Sequence, residues 1–328
     1  MKEKVIVTGG AGFIGSHLVE LLLKKGFKVI VIHNFETGRR ENLKFTKKKN
    51  FEIYKADIAD YNKVCRKFKN VKYVFHLAAL ADIVPSIEEP KKYYKTNVTG
   101  TLNVLTASSK YNVKKVIYAA SASCYGIPKK YPTDENSKIN TEYPYALTKN
   151  LGERLLSHWS KVYKLSTVSL RLFNVYGLRS RTTGAYGAMF GVFLAQKLKN
   201  KPLTVVGDGK QTRDFTYVTD VVDAFYKAAK SKVFHDIYNV GTGKPISVNY
   251  VVKSLGGQIV KIPKRPGEPD NSQANISKIR KALNWKPKIS IDQGIKILIS
   301  NINDWKTAPV WTPKKIKIKT KKWFQYLK

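Results

Sequence analysis

The chain has 328 residues, a length sufficient for a large α/β domain with a smaller second lobe. Hydrophobic residues make up 43% of it, a fraction that supports a buried core and argues against disorder of the whole chain. The formal net charge is +37, but it comes from fifty lysines and only ten arginines. Because recognition of phosphates and bases favours arginine, this excess does not predict specific nucleic-acid binding.

Strand-like and helical patterns alternate regularly through the first half of the chain. The buried face of the first predicted helix is marked by Ile14, Leu18, Leu21 and Leu22. Alternation of this kind predicts an α/β fold, in which a parallel sheet is covered by helices on both faces. The predicted strands are Val5–Val7, Val29–Ile32, Phe51–Tyr54, Tyr73–Leu77, Val116–Ala119 and Thr167–Arg171.

The pattern becomes irregular after Asn174, where loops and Gly/Pro-rich stretches surround one helical pattern near Gly191–Leu198. We expect this part to build a smaller α/β lobe that binds the substrate. The predicted boundaries are 1–174 plus about 214–242 for the first domain, about 175–213 plus 243–312 for the second lobe, and 313–328 for a basic tail.

The tail mixes basic and apolar side chains. Between Lys314 and Lys328 there are seven lysines, interleaved with apolar residues. Such a segment could touch an anionic membrane surface, or it could dock on the body of the protein as a helix with a solvated face. Membrane contact is the less expected of the two. The apolar residues are Ile316, Ile318, Trp323, Phe324 and Tyr326.

A glycine-rich turn follows the first strand and opens the first helix, with the sequence Thr8-Gly9-Gly10-Ala11-Gly12-Phe13-Ile14-Gly15. Gly9 permits a tight turn, Gly12 lets the backbone approach a pyrophosphate, and Gly15 allows close packing of the helix on the strand. The free N–H groups at the helix N-terminus then stabilise phosphate charge. This context predicts dinucleotide binding and a Rossmann, doubly wound sheet.

Together with Tyr145-Ala-Leu-Thr-Lys149, these glycines resemble the extended short-chain dehydrogenase/reductase family over about residues 1 to 290. The likeness is greatest to its nucleotide-sugar 4-epimerases, which act on UDP-glucose or UDP-N-acetylglucosamine. It implies a homodimer formed by helices around Pro90–Ser109 and Tyr143–Tyr163. The residues that the resemblance assigns to the cofactor are Gly9, Gly12, Phe13, Ile14, Gly15, His33, Asn34, Asp57, Ile58, Leu77, Ala78, Ala79, Asn97, Tyr145 and Lys149.

The end of the second strand departs from the family pattern. The family usually places an aspartate there to hold the adenosine ribose, whereas this chain has His33-Asn34. Since a carboxylate repels a ribose 2′-phosphate, its absence near Arg39 and Arg40 weakens the choice of NAD over NADP. Histidine and asparagine still hydrogen-bond hydroxyls, and we expect NAD rather than NADP.

Three residues are the candidates for proton transfer. Tyr145 and Lys149 are four residues apart, so a helix puts both on one face. A lysine ammonium favours the phenolate and lowers a tyrosine pKa that is ordinarily near 10. Ser121 ends a predicted strand, where the sites of doubly wound sheets open. By resemblance, Ser121 hydrogen-bonds the reacting sugar oxygen, Tyr145 is the acid/base, and Lys149 also holds the nicotinamide ribose.

The residues after Ser121 bear on the type of reaction. The 4,6-dehydratases of the family carry an Asp-Glu pair there, and the UDP-xylose-forming decarboxylases keep a Glu at the second position. This chain has Ala122 and Ser123, which cannot exchange a proton with carbon. Cys124 lies one residue beyond the cysteine of the 3,5-epimerising relatives, and we interpret it as a buried strand residue. Reversible oxidation at C4 of the sugar is the chemistry that remains.

Three later segments resemble the substrate-binding motifs of the family. By resemblance Asn174, Arg213 and Arg265 contact the diphosphate and Glu268 a ribose hydroxyl, and guanidinium groups suit this because they bind phosphate bidentately. The family's specificity position beside the sugar falls on Ser272, a small residue that leaves room for an N-acetyl group. The predicted substrate-binding residues are Ser121, Asn174, Arg213, Arg265, Glu268 and Ser272.

We therefore hypothesise an NAD-dependent nucleotide-sugar 4-epimerase for a UDP-hexose or UDP-N-acetylhexosamine. The alternatives are another nucleotide-sugar enzyme of the group, a 4,6-dehydratase or 4-keto reductase, and a non-catalytic Rossmann protein with a basic surface. We expect a cytoplasmic protein, because the chain start lacks a signal-peptide pattern and no apolar run reaches the roughly 20 residues of a bilayer span. Cys65 and Cys124 share no metal or redox spacing, so no metal site is predicted.

Overall fold

The computed structural model describes residues 2–44, 50–180 and 189–327 of the chain. These residues form one large central sheet and three two-stranded sheets. In chain order the strands are β1 Lys4–Thr8, β2 Lys28–His33, β3 Phe51–Lys55, β4 Tyr73–His76, β5 Lys115–Ser121, β6 Thr167–Leu172, β7 Asn174–Tyr176, β8 Leu203–Val206, β9 Thr212–Arg213, β10 Phe215–Tyr217, β11 His235–Val240, β12 Ile246–Ser247 and β13 Ile259–Ile262.

The central sheet has the order β11-β6-β5-β4-β1-β2-β3, and every neighbouring pair is parallel. The chain order reverses between β1 and β4, which leaves a crevice at the carboxyl ends of these strands. All six strands predicted from the sequence lie in this sheet, so the prediction of a Rossmann α/β fold is confirmed. Strand β11 had not been singled out, because it is an edge strand with a polar, half-buried start.

Successive side chains along the strands are buried on alternate faces of the sheet. Val5 and Val7 belong to one buried cluster, whereas Ile6 and Ile30 belong to the cluster on the opposite face. Helices cover both clusters, so the strands read as continuous apolar runs instead of alternating with polar residues. Because the strands are buried on both faces, they form continuous apolar runs, and these runs make the sheet easy to predict from the sequence.

The helices are placed by apolar spacing and by their ends. The first helix, Phe13–Lys24, buries Gly15, Leu18, Val19 and Leu22 at helical intervals. The 20-residue helix Pro144–Tyr163 begins with Pro144, at a position where the missing N–H of proline costs no hydrogen bond. The helices are α1 Phe13–Lys24, α2 Tyr61–Val64, α3 Ile83–Glu88, α4 Pro90–Tyr94, α5 Gly100–Lys110, α6 Pro144–Tyr163, α7 Met189–Leu198, α8 Val218–Lys230, α9 Val248–Leu255, α10 Ser277–Leu283, α11 Ile291–Ser300, α12 Pro313–Lys319 and α13 Lys321–Tyr326.

A separate apolar cluster lies beyond the central sheet. It joins α7, α9 and α11 to β8 and β10, and Phe190 and Trp305 are buried in it. The helix predicted near Gly191–Leu198 lies within α7. This second cluster supports the division into two lobes, which we keep as a proposal. Among the residues that the structure describes, no helix combines the length and the apolar character that crossing a bilayer requires.

The basic tail docks on the body of the protein. It forms α12 and α13, and it buries Ile316 and Trp323, which are 4% and 2% exposed. Its lysines are largely exposed around these two anchors. Of the two arrangements left open by the sequence, the structure therefore has the docked helix with a solvated face.

Candidate active site

The glycine turn between β1 and α1 is constrained by close backbone contacts. Gly9 has φ of +73°, and a Cβ atom on it would lie 2.7 Å from the backbone nitrogen of Ala78. A Cβ atom on Gly15 would lie 2.3 Å from the carbonyl oxygen of Gly9. Both positions therefore require glycine, because the turn packs against the loop that follows β4 and the first turn of α1 packs against Gly9. This is the geometry in which a helix N-terminus receives a phosphate.

A cleft of about 630 Å³ runs along the carboxyl ends of the central strands towards the second cluster. Its size is within the range of small-molecule sites. Except for Asn97 and Ser272, every site residue predicted from the sequence lines it. Those that line it are Gly9, Gly12, Phe13, Ile14, Gly15, His33, Asn34, Asp57, Ile58, Leu77, Ala78, Ala79, Ser121, Tyr145, Lys149, Asn174, Arg213, Arg265 and Glu268.

Asn97 lies behind the cleft. It belongs to the π-helical segment Lys95–Thr99, and its side-chain oxygen accepts a hydrogen bond from the Leu80 backbone N–H at 2.8 Å. Its side-chain nitrogen donates to the Leu80 carbonyl and to the Thr148 hydroxyl, each at 3.0 Å. Asn97 thus ties the loop after β4 to α6 from behind the cleft, and its contact with the cofactor stays a prediction.

Ser272 is half-buried and is not part of the cleft wall. The segment that contains it is held against neighbouring strands, since the Thr212 N–H donates to the Asp270 carbonyl and the Thr133 N–H to the Gln273 carbonyl, both at 2.8 Å. The assignment of Ser272 as the specificity position beside the sugar stays a prediction.

The three candidate proton-transfer residues meet where β5 faces α6. Tyr145 forms a hydrogen bond with the side chain of Ser121, and the Ser121 hydroxyl lies 2.8 Å from the Ser123 hydroxyl. Burial raises the pKa of Tyr145 above its ordinary value of 10, while the hydrogen bond with Ser121 opposes that rise. In this protein environment the phenol is therefore a proton donor until a nearby positive charge stabilises its anion.

Lys149 is one turn further along α6 and is 4% exposed. Burial lowers the pKa of Lys149 to about 7, and the negative charge of Glu153 opposes this shift. The Lys149 nitrogen lies over the ring of Tyr118, 4.2 Å from its centroid. The lysine thus gains or loses its proton near neutral pH, on the same helix as Tyr145 and in the same cleft.

His33 and Asn34 line the cleft near the glycine turn, where the adenosine part of NAD would lie. His33 is buried, and its Nε2 atom has no hydrogen-bond partner among the described residues. Burial lowers the pKa of His33 to about 4, so the ring is neutral at pH 7. A neutral imidazole both donates and accepts hydrogen bonds, but the Nε2 atom faces Gly38, where a Cβ atom would lie 2.3 Å from it, so a ribose hydroxyl would have to contact another part of the ring. Nearby, the Asn34 amide donates to the Asp57 carboxylate at 3.3 Å.

Two guanidinium groups share one carboxylate at the other end. Arg265 Nη1 lies 2.8 Å from Glu268 Oε1, and Arg213 Nη2 lies 3.5 Å from Glu268 Oε2. Arg213 also donates to the Pro269 carbonyl at 2.9 Å. Glu268 thus holds both arginines at the cleft wall, where their remaining N–H groups can bind an anion such as a diphosphate.

Sequence reasoning missed several residues that act on the site. Glu153 lies four residues after Lys149 on α6, so helical spacing could have found it. Tyr118 lies on β5, and its ring contacts the Lys149 nitrogen. Because side chains alternate along a strand, Tyr118 shares a face with Ala120 and not with Ser121, so the position of Ser121 did not point to it. Trp323 lines the cleft from the tail, and no sequence pattern indicates where a terminal helix docks.

Comparisons with known proteins identify a family and several similar structures. The model of the NAD dependent epimerase/dehydratase family matches residues 5–241. A UDP-glucose 4-epimerase from Thermotoga maritima, solved with UDP-glucose, is 35% identical with a TM-score of 0.86, over 92% of this chain and 98% of that one. A UDP-N-acetylglucosamine 4-epimerase from Methanobrevibacter ruminantium, in complex with UDP-N-acetylmuramic acid, is 34% identical with a TM-score of 0.86, over 92% and 100%.

The relatives also include an enzyme that is named for a different reaction. A UDP-N-acetyl-alpha-D-glucosaminuronate decarboxylase from Bacillus cytotoxicus is 32% identical over 314 residues, which is 90% of this chain and 96% of that protein. The match to the family model covers the glycine turn, the central sheet from Val5 of β1 to Val240 of β11, and the Tyr145–Lys149 pair. The predictions of family and of NAD as its cofactor are confirmed: the chain belongs to the NAD dependent epimerase/dehydratase family.

Proposed function

We propose that the protein is a 4-epimerase for a UDP-linked hexose or N-acetylhexosamine. The observation that carries the proposal is the convergence of Ser121, Tyr145 and Lys149 in one cleft, with Ala122 and Ser123 beside them. This set can move one proton to and from a sugar hydroxyl, and it adds no acid or base at the two positions that follow Ser121. Reversible oxidation of one carbinol needs nothing more.

The protein residues divide the work of proton transfer. Tyr145 exchanges the proton of the sugar O4, and the Ser121 hydroxyl orients that oxygen by a hydrogen bond. Lys149 in its charged form stabilises the Tyr145 phenolate. When bound, NAD⁺ supplies the two-electron acceptor and donor for C4 and a positive charge that further favours the phenolate. Gly9, Gly12 and Gly15 would hold its pyrophosphate at the start of α1.

The diphosphate end of the substrate must stay fixed while the hexose turns over. Arg213 and Arg265, joined through Glu268, offer a rigid anion site at the opposite end of the cleft from the glycine turn. Anchoring the diphosphate leaves the glycosyl bond free to rotate, so either face of the 4-keto sugar can be presented for reduction. Epimerisation therefore follows from strong binding of the nucleotide part and loose binding of the sugar.

Dehydration and decarboxylation are less well supported by these residues. Ala122 has no titratable group, and Ser123 hydrogen-bonds the Ser121 hydroxyl at 2.8 Å. Cys124 is 2% exposed, and burial raises its pKa to about 12, so it remains a neutral thiol. Proton transfer from C5, which loss of water requires, would have to use a group outside this segment.

The choice of sugar rests on the relatives. The Thermotoga maritima enzyme was solved with UDP-glucose, and the Methanobrevibacter ruminantium enzyme is a UDP-N-acetylglucosamine 4-epimerase. Ser272 is a small residue that leaves room for an N-acetyl group and does not require one. We therefore propose both sugar classes as substrates to be tested.

The experiment incubates purified protein with UDP-glucose, UDP-N-acetylglucosamine or UDP-glucuronate and identifies products by NMR. We expect the 4-epimer of at least one substrate, with no net change in NAD. Tyr145→Phe keeps the ring and removes the proton, so we expect its rate to fall by about 10²–10⁴. A 4-keto-6-deoxy sugar or a pentose as the main product, or no product from any activated hexose, would contradict the proposal.

We also propose a homodimer formed through α5 and α6. Two leucines on these helices are exposed, Leu102 at 37% and Leu147 at 44%, and α5 packs against α6, so both helices offer apolar surface to a partner. Light scattering after gel filtration would test this. We expect a mass near twice 37.2 kDa and a shift to the monomer mass in Leu102→Glu.

A further inference from the structure

The C-terminal helices lie across the mouth of the cleft. The Trp323 indole N–H donates a hydrogen bond to the Pro266 carbonyl at 2.8 Å, next to the cleft arginine of the 265–268 loop. Four residues earlier, Lys319 Nζ lies 3.2 Å from a carboxylate oxygen of Glu88, the last residue of α3. Helix α3 follows the loop after β4, which forms the other side of the cleft. Helices α13 and α3 are also in contact. The tail thus connects the two sides of the cleft.

The anchor of the tail is a residue that faces the site. Trp323 is 2% exposed, lines the cleft, and presents its ring to the Arg265 guanidinium at 5.3 Å from the ring centroid. The same guanidinium is held on another side by Glu268 at 2.8 Å. An arginine between a ring and a carboxylate loses little further freedom when it binds an anion.

We propose that Trp323 is a positioning residue for substrate binding, which acts by holding Arg265 towards the diphosphate of the nucleotide sugar. This inference rests on the proposed function, because it takes a nucleoside diphosphate as the ligand. It assigns to the basic tail a role in substrate affinity. It predicts that substitutions at Trp323 change KM and the affinity for UDP, and leave kcat and the NAD content unchanged, since Tyr145 and Lys149 lie elsewhere in the cleft.

The test compares three variants of the full chain. Trp323→Leu keeps an apolar side chain but has no π face, whereas Trp323→Phe keeps a ring. Phe324→Leu is the matched control, because Phe324 is the next residue on α13 and is 38% exposed. UDP affinity is measured by calorimetry, and KM and kcat with the sugar nucleotide that the wild type converts. NAD content and thermal unfolding report on the folded state.

We expect Trp323→Leu to weaken UDP binding and raise KM about tenfold, which corresponds to ~1.4 kcal/mol. We expect Trp323→Phe to lose no more than about threefold, because phenylalanine retains a weaker cation–π contact. Phe324→Leu should match the wild type. The inference is overturned if folded Trp323→Leu binds UDP as the wild type does, or if kcat and NAD content fall together with the affinity. A wild type that binds UDP but fails to epimerise contradicts the proposed function alone, whereas one that binds no nucleoside diphosphate overturns both.

Discussion

The Lys149 side-chain nitrogen lies 4.2 Å from the centroid of the Tyr118 ring, one helical turn after Tyr145 on α6. Tyr118 is 1% exposed, and its hydroxyl donates to the Lys149 carbonyl at 3.4 Å. Gly152 makes this approach possible, since a Cβ atom there would lie 2.3 Å from the Tyr118 hydroxyl. The ring therefore faces the lysine charge at a site from which water is excluded, and it offsets part of the cost of burial.

Replacing Tyr118 by leucine removes this ring and should lower the pKa of Lys149 further below its ordinary value. Because the charged form of Lys149 stabilises the Tyr145 phenolate, less of the enzyme is then active at neutral pH. We expect kcat to fall about tenfold, in line with the ~1–2 kcal/mol of a desolvated cation–π contact. The alkaline limb of the kcat profile should move to lower pH, which a pH series between 6 and 10 measures.

Tyr118→Phe is the control for this prediction. It keeps the ring and loses the hydrogen bonds of the hydroxyl, the long one to the Lys149 carbonyl and one with the Thr101 side chain. We expect kcat within threefold of the wild type and an unmoved profile. Equal losses in the leucine and phenylalanine variants would show that the ring does not act on the charge.

A second prediction concerns the pH dependence of stability at Lys149. Burial lowers the pKa of Lys149 from 10.5 in the unfolded chain to about 7 in the folded protein. Between these values the unfolded chain binds a proton that the folded protein does not, so the stability contributed at this site rises with pH. The destabilising effect is fully present below pH 7 and is lost towards pH 10.5. Lys149→Met should therefore be more stable than the wild type at pH 7, with an advantage that shrinks by ~2 kcal/mol at pH 9.

Urea unfolding of both proteins at pH 7 and pH 9 checks this expectation. Lys253→Met, which replaces an exposed lysine on α9, serves as the reference for effects of lost charge alone. Its difference from the wild type should stay constant between the two pH values. A constant difference for Lys149→Met as well would mean that Lys149 keeps its proton in the folded protein over this range.

The sheet could be predicted from the sequence because each of its inner strands is buried on both faces. Val5, Ile6 and Val7 point alternately to the two clusters, yet all three are apolar, and this produces a run that a periodic pattern detects. Strand β11 was not singled out because it begins with His235 and Asp236 at the edge of the sheet. Edge position is a property of the assembled sheet, and it leaves only a weak trace in the sequence.

The site could be predicted as far as its residues follow strand ends and helical spacing. Gly9 and Ser121 come directly at such ends, and Tyr145 and Lys149 share one helical face, so local rules placed them. The position of Ser272 rests on counting along a loop whose path is held by hydrogen bonds from Thr212 and Thr133, so no local rule decides whether it faces the sugar. The position of Trp323 depends on the docking of a terminal helix, which no local rule describes.

A third prediction concerns the buried ion pair behind Lys149. Both oxygens of Glu153 accept hydrogen bonds from Arg171, at 2.6 and 2.9 Å, and both side chains are about 5% exposed or less. Glu153→Gln leaves the arginine charge buried without its counter-charge. We expect the free energy of unfolding to fall by ~3–5 kcal/mol, and kcat to fall because Glu153 also raises the pKa of Lys149.

Urea unfolding provides the measurement, with Asp236→Asn as the comparison. Asp236 pairs with Lys278 at the surface, where both side chains are about a third exposed or more, so its loss should cost no more than ~1 kcal/mol. If Glu153→Gln proved no more harmful than Asp236→Asn, the buried pair would not be holding α6 against β6.

The last prediction concerns the choice between NAD and NADP at His33. The buried ring is neutral at pH 7, because burial lowers the pKa of His33 to about 4, and it brings no negative charge to the ribose site. His33→Asp introduces a carboxylate that repels a 2′-phosphate, so the ratio of NADP to NAD dissociation constants should rise about tenfold or more. Titration of cofactor-stripped protein measures both constants. His33→Asn, which has nearly the same shape without the charge, should leave the ratio within threefold, and equal ratios in the two variants would show that His33 does not face the ribose.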